Sequence, residues 1–125
     1  MKLIHTDKAP KAIGPYSQAV KAGNMLFVSG QVPFNPETME IVEGGVKEQT
    51  AQSLRNVEAI LKEVGLDFSN VVKSTVFIKD MNEFAQINEV YSEFFKENKP
   101  ARACVEVARL PRDARVEIEV IAVFE

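Results

Sequence analysis

The chain has 125 residues, 46% of them hydrophobic and 26% charged, and a formal net charge of −3. That length fits one domain spanning 1–125, which can bury roughly two thirds of its unfolded surface without covalent staples. The mild acidity is the reverse of a nucleic-acid footprint. No apolar run approaches the ~20 residues of a membrane span, no leader opens the chain, and the lone Cys104 fits a reducing, cytoplasmic setting.

Lys2 to His5 reads as a short edge strand. Ala12–Val20, "AIGPYSQAV", turns at Gly14-Pro15 and then alternates as a strand. Gly23-Asn24 supplies the next turn, and Asn24–Val32, "NMLFVSGQV", is a second strand of that pair. Its apolar run breaks at Ser29-Gly30-Gln31, where glycine lets another group approach the backbone. Pro33 to Gly45 is a loop ending in a glycine pair. From Val46 the period becomes helical: Thr50, Leu54, Val57, Leu61 and Val64 share a stripe, and Gly65 stands at the C-terminal cap. Val71–Lys79 alternates and is β-branched, so it is a strand. Asp80 with Glu83 reads as a capping box for a second helix to about Glu97, with Phe84, Ile87, Tyr91, Phe94 and Phe95 on its apolar stripe. Pro100 stops that helix, and "KPARACVEVARLPRDARVEIEVIA" gives the last two strands.

The resulting order, β-β-β-α-β-α-β-β, implies an α+β fold: a mixed sheet with both helices packed on one face. The strand-helix-strand unit from Val71 to Val107 should join parallel strands by a right-handed crossover. In the last two strands Val105 and Val107 alternate with Cys104 and Glu106, and Val116, Ile118 and Val120 alternate with Glu117 and Glu119. If both apolar sets face the helices, then Arg102, Cys104, Glu106, Glu117 and Glu119 share the opposite face. Ile121, Val123 and Phe77 fall on that face too, so it is either a partly wetted surface or an interface between subunits.

Several catalytic arrangements are missing. The only histidine, His5, lies near the start, and there is no CxxC, HExxH, GxGxxG or phosphate-binding loop pattern. What remains is Arg102 with a nearby glutamate. A guanidinium can grip a carboxylate bidentately, and a glutamate can hold or deprotonate a water. The same pair can equally staple neighbouring strands, and residue pattern alone favours the staple. Cys104 has no base beside it in sequence and reads better as a small wall than as a nucleophile.

"IGPYSQAV", "FVSGQVPFNP", "VVKSTVFIKDMNEFAQINEVY" and above all "PARACVEVARLPRDARVEIEVIA" resemble the Rid (YjgF-like) family of imine and enamine deaminases, nearly end to end. The resemblance implies a chorismate-mutase-like fold assembled as a homotrimer with sites between subunits. It implies hydrolysis of 2-imino or 2-enamino acids, released by pyridoxal-phosphate dehydratases, to 2-oxo acids and ammonia, with no metal or organic cofactor. By that resemblance Arg102 clamps the substrate carboxylate and Glu117 binds or orients the attacking water. Gly30 lines the pocket with its backbone, Ser29 lies beside it, Tyr16 closes the cleft, and Cys104 occupies the position that active deaminases fill with cysteine. Ribonuclease activity, translation inhibition and small-acid binding without turnover are the alternatives within the same family; bulk acidity weighs against nucleic acid. One departure stands out: Met39 occupies a turn position where relatives carry glycine.

Overall fold

The computed structural model describes residues Met1–Glu125. Eight main elements follow the expected order: β1 (Lys2–Ile4), β2 (Ala19–Ala22), β3 (Met25–Gln31), α1 (Val46–Glu63), β4 (Val71–Ile78), α2 (Phe84–Phe94), β5 (Ala101–Glu106) and β6 (Val116–Val123). The six strands form one mixed sheet ordered β1-β2-β3-β6-β4-β5. Only β4 and β5, the strands joined through α2, are parallel.

Local chemistry sets the helix ends. Glu48 Oε1 accepts from the Gly45 amide at 2.8 Å and so closes the first turn of α1. At the other end Gly65, with φ +78°, lets its amide reach Lys62 O (3.1 Å) and the Leu66 amide reach Leu61 O (2.9 Å). This is a Schellman stop, and it needs the left-handed residue that glycine supplies without strain. Asp80 also caps, but over a 3₁₀ turn, Met81–Glu83, with its carboxylate accepting from the Asn82 amide at 2.9 Å. Glu83 does not complete the expected capping box: it pairs with Arg115 at 2.9 Å. α2 ends at Phe94, three residues short of the expected Glu97.

Leu54, Val57, Ile60 and Leu61 of α1 and Ile87 and Tyr91 of α2 close one face of the sheet over Leu26, Val28, Val76, Ile78, Val116, Ile118 and Val120. A smaller cluster of Val32, Phe34, Leu110 and Ala114 lies beyond the sheet's end, with Phe77 and Val107 packed against it.

Two larger expectations also fail. Ala12 to Gln18 is not strand; the strand starts at Ala19. The buried Gln18 side chain accepts from the Thr6 amide (2.7 Å) and donates to Thr6 O (3.0 Å) and Pro10 O (2.8 Å). A side chain thus satisfies backbone that a neighbouring strand would otherwise pair, and the segment stays an ordered loop.

The second failure concerns β5. Parallel pairing sets Ser74 beside Arg102, Val76 beside Cys104 and Ile78 beside Glu106, while antiparallel pairing sets Val76 beside Ile118 and Phe77 beside Glu117. Arg102, Cys104 and Glu106 therefore lie on the helix side, and Glu117 and Glu119 on the other. They do not share a face. The reason is position: β5 is an edge strand, and its helix-side residues meet the rim of α2, where polar heads find partners. Arg102 Nη1 donates to Asn88 Oδ1 at 2.7 Å, and Glu106 Oε1 accepts from the Met81 amide at 2.7 Å. Val105 and Val107 point the other way.

That other face has no helix over it. Phe27 and Val105 are 42% and 41% exposed there, beside half-buried Met25, Phe77, Ile121 and Val123 and the polar Lys73, Thr75, Glu117 and Glu119.

Candidate functional site

The residues singled out from the sequence fall into two groups, one on each face. The first surrounds a cavity of about 570 Å³ at the end of the open face, lined by Tyr16, Ser29, Gly30, Glu117 and, on its rim, Lys11 and Arg112. Its floor depends on a break in the β3–β6 register between Val28 and Gln31. There Ser29 turns to the Tyr16 loop: its amide donates to Gln18 O at 2.9 Å and its hydroxyl to Ser17 O at 2.6 Å. Ser29 thus shapes the wall that presents Tyr16, a ring 52% exposed.

Gly30 leaves room for Glu117. A Cβ on residue 30 would overlap Glu117 Oε2 and stand 2.9 Å from the carboxyl carbon. The Glu117 carboxylate therefore lies flat over the Gly30 backbone, in space that any other residue would fill. Burial, and next the charge of Glu119, push the Glu117 carboxyl above the usual carboxylate range. No hydrogen bond or cation of the chain opposes that rise. A half-buried carboxylate with no partner of its own can hold a water and accept a proton from it.

The second group lies across the sheet. A cavity of about 380 Å³ is lined by Asn88, Tyr91, Ser92, Phe95, Lys99, Pro100 and Arg102. The Arg102 guanidinium stands 4.8 Å from the Tyr91 ring centroid and 5.6 Å from that of Phe84. Tyr91 is fixed in turn by a 2.6 Å hydrogen bond with the buried Ser74 hydroxyl. Arg102 is held by rings and a neutral amide, with no carboxylate of its own, so its remaining donors are free for an anion. The strand staple between Arg102 and a glutamate does not form. Burial raises the Cys104 thiol above its ordinary value and Arg102 offsets this only in part, so the thiol stays protonated; Cys104 lines neither cavity of the protomer.

Asn88, Gln18 and Arg112 escaped the sequence reading. Asn88 is one polar residue among several on α2, and nothing in its spacing marks it. Gln18 sat inside an apparent strand. Arg112 looked like part of a basic turn, whereas it adopts φ 55° and lines the Glu117 cavity. Nowhere do three His, Cys, Asp or Glu side chains converge as a metal site requires. No helix is long and apolar enough to cross a membrane.

The fold defines a class: six-stranded α+β domains of chorismate-mutase-like architecture with one sheet face left open. Residues 6–124 match the family model described as Endoribonuclease L-PSP. A RutC family protein of Pyrococcus abyssi is 58% identical over 124 residues, covering 99% of this chain and 98% of that one. The mouse protein named 2-iminobutanoate/2-iminopropanoate deaminase is 53% identical over 122 residues, covering 98% and 90%. The crystal structure of Escherichia coli TdcF with bound serine superposes with a TM-score of 0.96 at 52% identity, over all of both chains. The chain belongs to this Endoribonuclease L-PSP family, which includes the Rid (YjgF-like) proteins.

Proposed function

We propose that the protein hydrolyses 2-imino acids and their enamine tautomers to 2-oxo acids and ammonia, at sites completed between copies of the chain. The observation that carries this reading is the separation of Arg102 from Glu117 by the thickness of the sheet. An anion clamp and a water-holding carboxylate on opposite faces cannot grip one small molecule within a protomer. They can do so where the open face of one copy meets the β5–α2 rim of the next. The uncovered Phe27, Val105 and Ile121 supply the apolar surface for such a contact, and a closed ring of three is the assembly proposed.

The chemistry then needs few groups. Arg102 of one copy binds the substrate carboxylate, with Tyr91 and Asn88 fixing its direction. Glu117 of the neighbour holds a water against the imine carbon over Gly30, with Tyr16 closing the cleft. The water oxygen adds to the carbon and its proton passes to Glu117. Glu117 then returns that proton to the nitrogen, and its carboxylate takes the hydroxyl proton as the C–N bond breaks, ammonia leaves and the carbonyl forms. A protonated imine is already electrophilic, so orientation and a positioned base account for the rate without a strong nucleophile. Cys104 stays neutral.

The mouse relative's name and the serine held by TdcF both support a small amino-acid-like ligand. The family description favours a second reading, RNA cleavage; salt-sensitive RNA cutting that survives Arg102→Ala would support it instead. The deciding test generates 2-iminobutanoate with a dehydratase and follows 2-oxobutanoate. Wild type should outpace the spontaneous reaction, and Arg102→Ala should not; equal rates for the two would overturn the proposal.

A further inference from the structure

The cavity above Glu117 is much larger than a three- or four-carbon imine needs, and its outer wall carries a cation with no acid partner. Arg112 lines that wall. Two cations near the turn are paired, Arg115 with Glu83 and Lys79 with Asp113, whereas Arg112 has no carboxylate partner. Arg112 touches only an aromatic face, its guanidinium 6.0 Å from the Phe34 ring centroid. Lys11 lies on the same rim.

The backbone is strained to put it there. Arg112 and Asp113 both adopt left-handed φ, 55° and 56°, inside the 3₁₀ turn Pro111–Asp113. Each such non-glycine residue carries strain and persists only where its surroundings enforce it. Here they do: Lys79 holds Asp113 at 2.8 Å, the Asp113 amide donates to Leu110 O at 3.0 Å, and the Ala114 amide to Pro111 O at 3.1 Å. A relaxed turn would not fix Arg112 over the cavity.

Arg112 also stands apart from Glu117. Both residues line the cavity, yet no ion pair joins them. Glu119, the other acid of the lining, lies further along β6, on the side of Glu117 away from the Pro111–Asp113 turn. Arg112 and Lys11 thus give the cavity lining two cations beside the carboxylates of Glu117 and Glu119.

We infer that Arg112 is a second anion anchor and that the site accepts 2-imino acids whose side chain ends in a carboxylate. This rests on the proposed imine hydrolysis, with Arg102 of the adjoining copy taking the α-carboxylate. The side-chain carboxylate then reaches Arg112, with Lys11 adding charge at the rim. The reaction balance is unchanged: one water enters, ammonia leaves, and the product is a dicarboxylic 2-oxo acid.

Two measurements test it. The first compares hydrolysis of imines generated by an amino-acid oxidase from aspartate or glutamate with those from alanine. Arg112→Ala should lower kcat/KM for the dicarboxylic imines about tenfold or more, as loss of a charge-assisted bidentate contact does, and leave the alanine-derived imine within about twofold. Equal losses on both, or activity of the wild type confined to alanine's imine, would overturn it. The second measurement is independent of turnover: calorimetric titration with 2-oxoglutarate and with 2-oxobutanoate. Wild type should prefer 2-oxoglutarate, and Arg112→Ala should erase that preference while still binding 2-oxobutanoate. If no imine is hydrolysed but this preference holds, imine hydrolysis fails and the anchor stands; if hydrolysis holds and no preference exists, the anchor fails alone.

Discussion

Strands β5 and β6 are written alike and folded oppositely. Both alternate apolar with polar residues, but β6 turns Val116, Ile118 and Val120 to the helices, whereas β5 turns Arg102, Cys104 and Glu106 there. The difference is neighbourhood. β6 sits between β3 and β4 under α1, where the side chains it buries are all apolar. β5 is an edge strand whose inward residues reach the rim of α2 and find Asn88, Tyr91 and a free amide. Alternation fixes the period of a strand, and position in the sheet fixes its phase.

This contrast predicts unequal penalties on the two faces. Ile118→Ala, in the fully buried core, should cost about 2–5 kcal/mol in denaturant unfolding, and Val105→Ala on the open face less than about 1. Comparable losses would mean that Val105 is packed as tightly as the core, within the protomer or against a neighbouring copy. Next in size is Arg102→Ala, expected to lower imine hydrolysis about 10²–10³-fold, the scale of removing one preorganised charge contact, while far-UV dichroism stays native. Gly30→Ala should cut activity about tenfold or more, because the new methyl displaces the Glu117 carboxylate from its seat. A structure of that variant with Glu117 unmoved and activity intact would refute the seat.

Smaller effects test the electrostatics of the open face. The folded state raises the Glu117 carboxyl, so ionisation there opposes folding: the group's contribution is fully present below its unfolded value and is lost as pH rises through the folded one. Glu117→Gln should therefore melt slightly higher than wild type at pH 7 while losing activity, a trade common where a site holds an unpaired charge. Glu119→Gln removes a like charge and should move the acid limb of the rate profile to lower pH, with the plateau rate little changed. An unshifted limb would show that the limb does not report Glu117.

Much of this architecture is legible in the residues. The order of elements along the chain, the Gly65 stop and the Asp80 cap follow from local rules, since each depends on groups within a few positions. The Met39 departure is legible too: it adopts φ 60°, the conformation glycine would take there, and its side chain packs against the Val32–Phe34 cluster. Arg102, Glu117 and Gly30 were found as candidates, but their arrangement was not. Whether Arg102 faces the helices depends on pairing with Ser74, a parallel register set by the length of the α2 crossover and by packing at a sheet edge. The Ala12–Gln18 loop depends on Gln18 reaching backbone eight to twelve residues earlier, which no local alternation reveals.

The measurement that bears most directly on the two-faced site is complementation. Arg102→Ala and Glu117→Gln proteins, each inactive alone, are unfolded together, refolded at equal concentration and assayed for imine hydrolysis. Sites built from two copies will pair an intact Arg102 with an intact Glu117 in about a quarter of random interfaces, restoring about that fraction of wild-type activity. A mixture that assembles and yet stays as inactive as its components would contradict the account, because it would place both groups of each site on one chain.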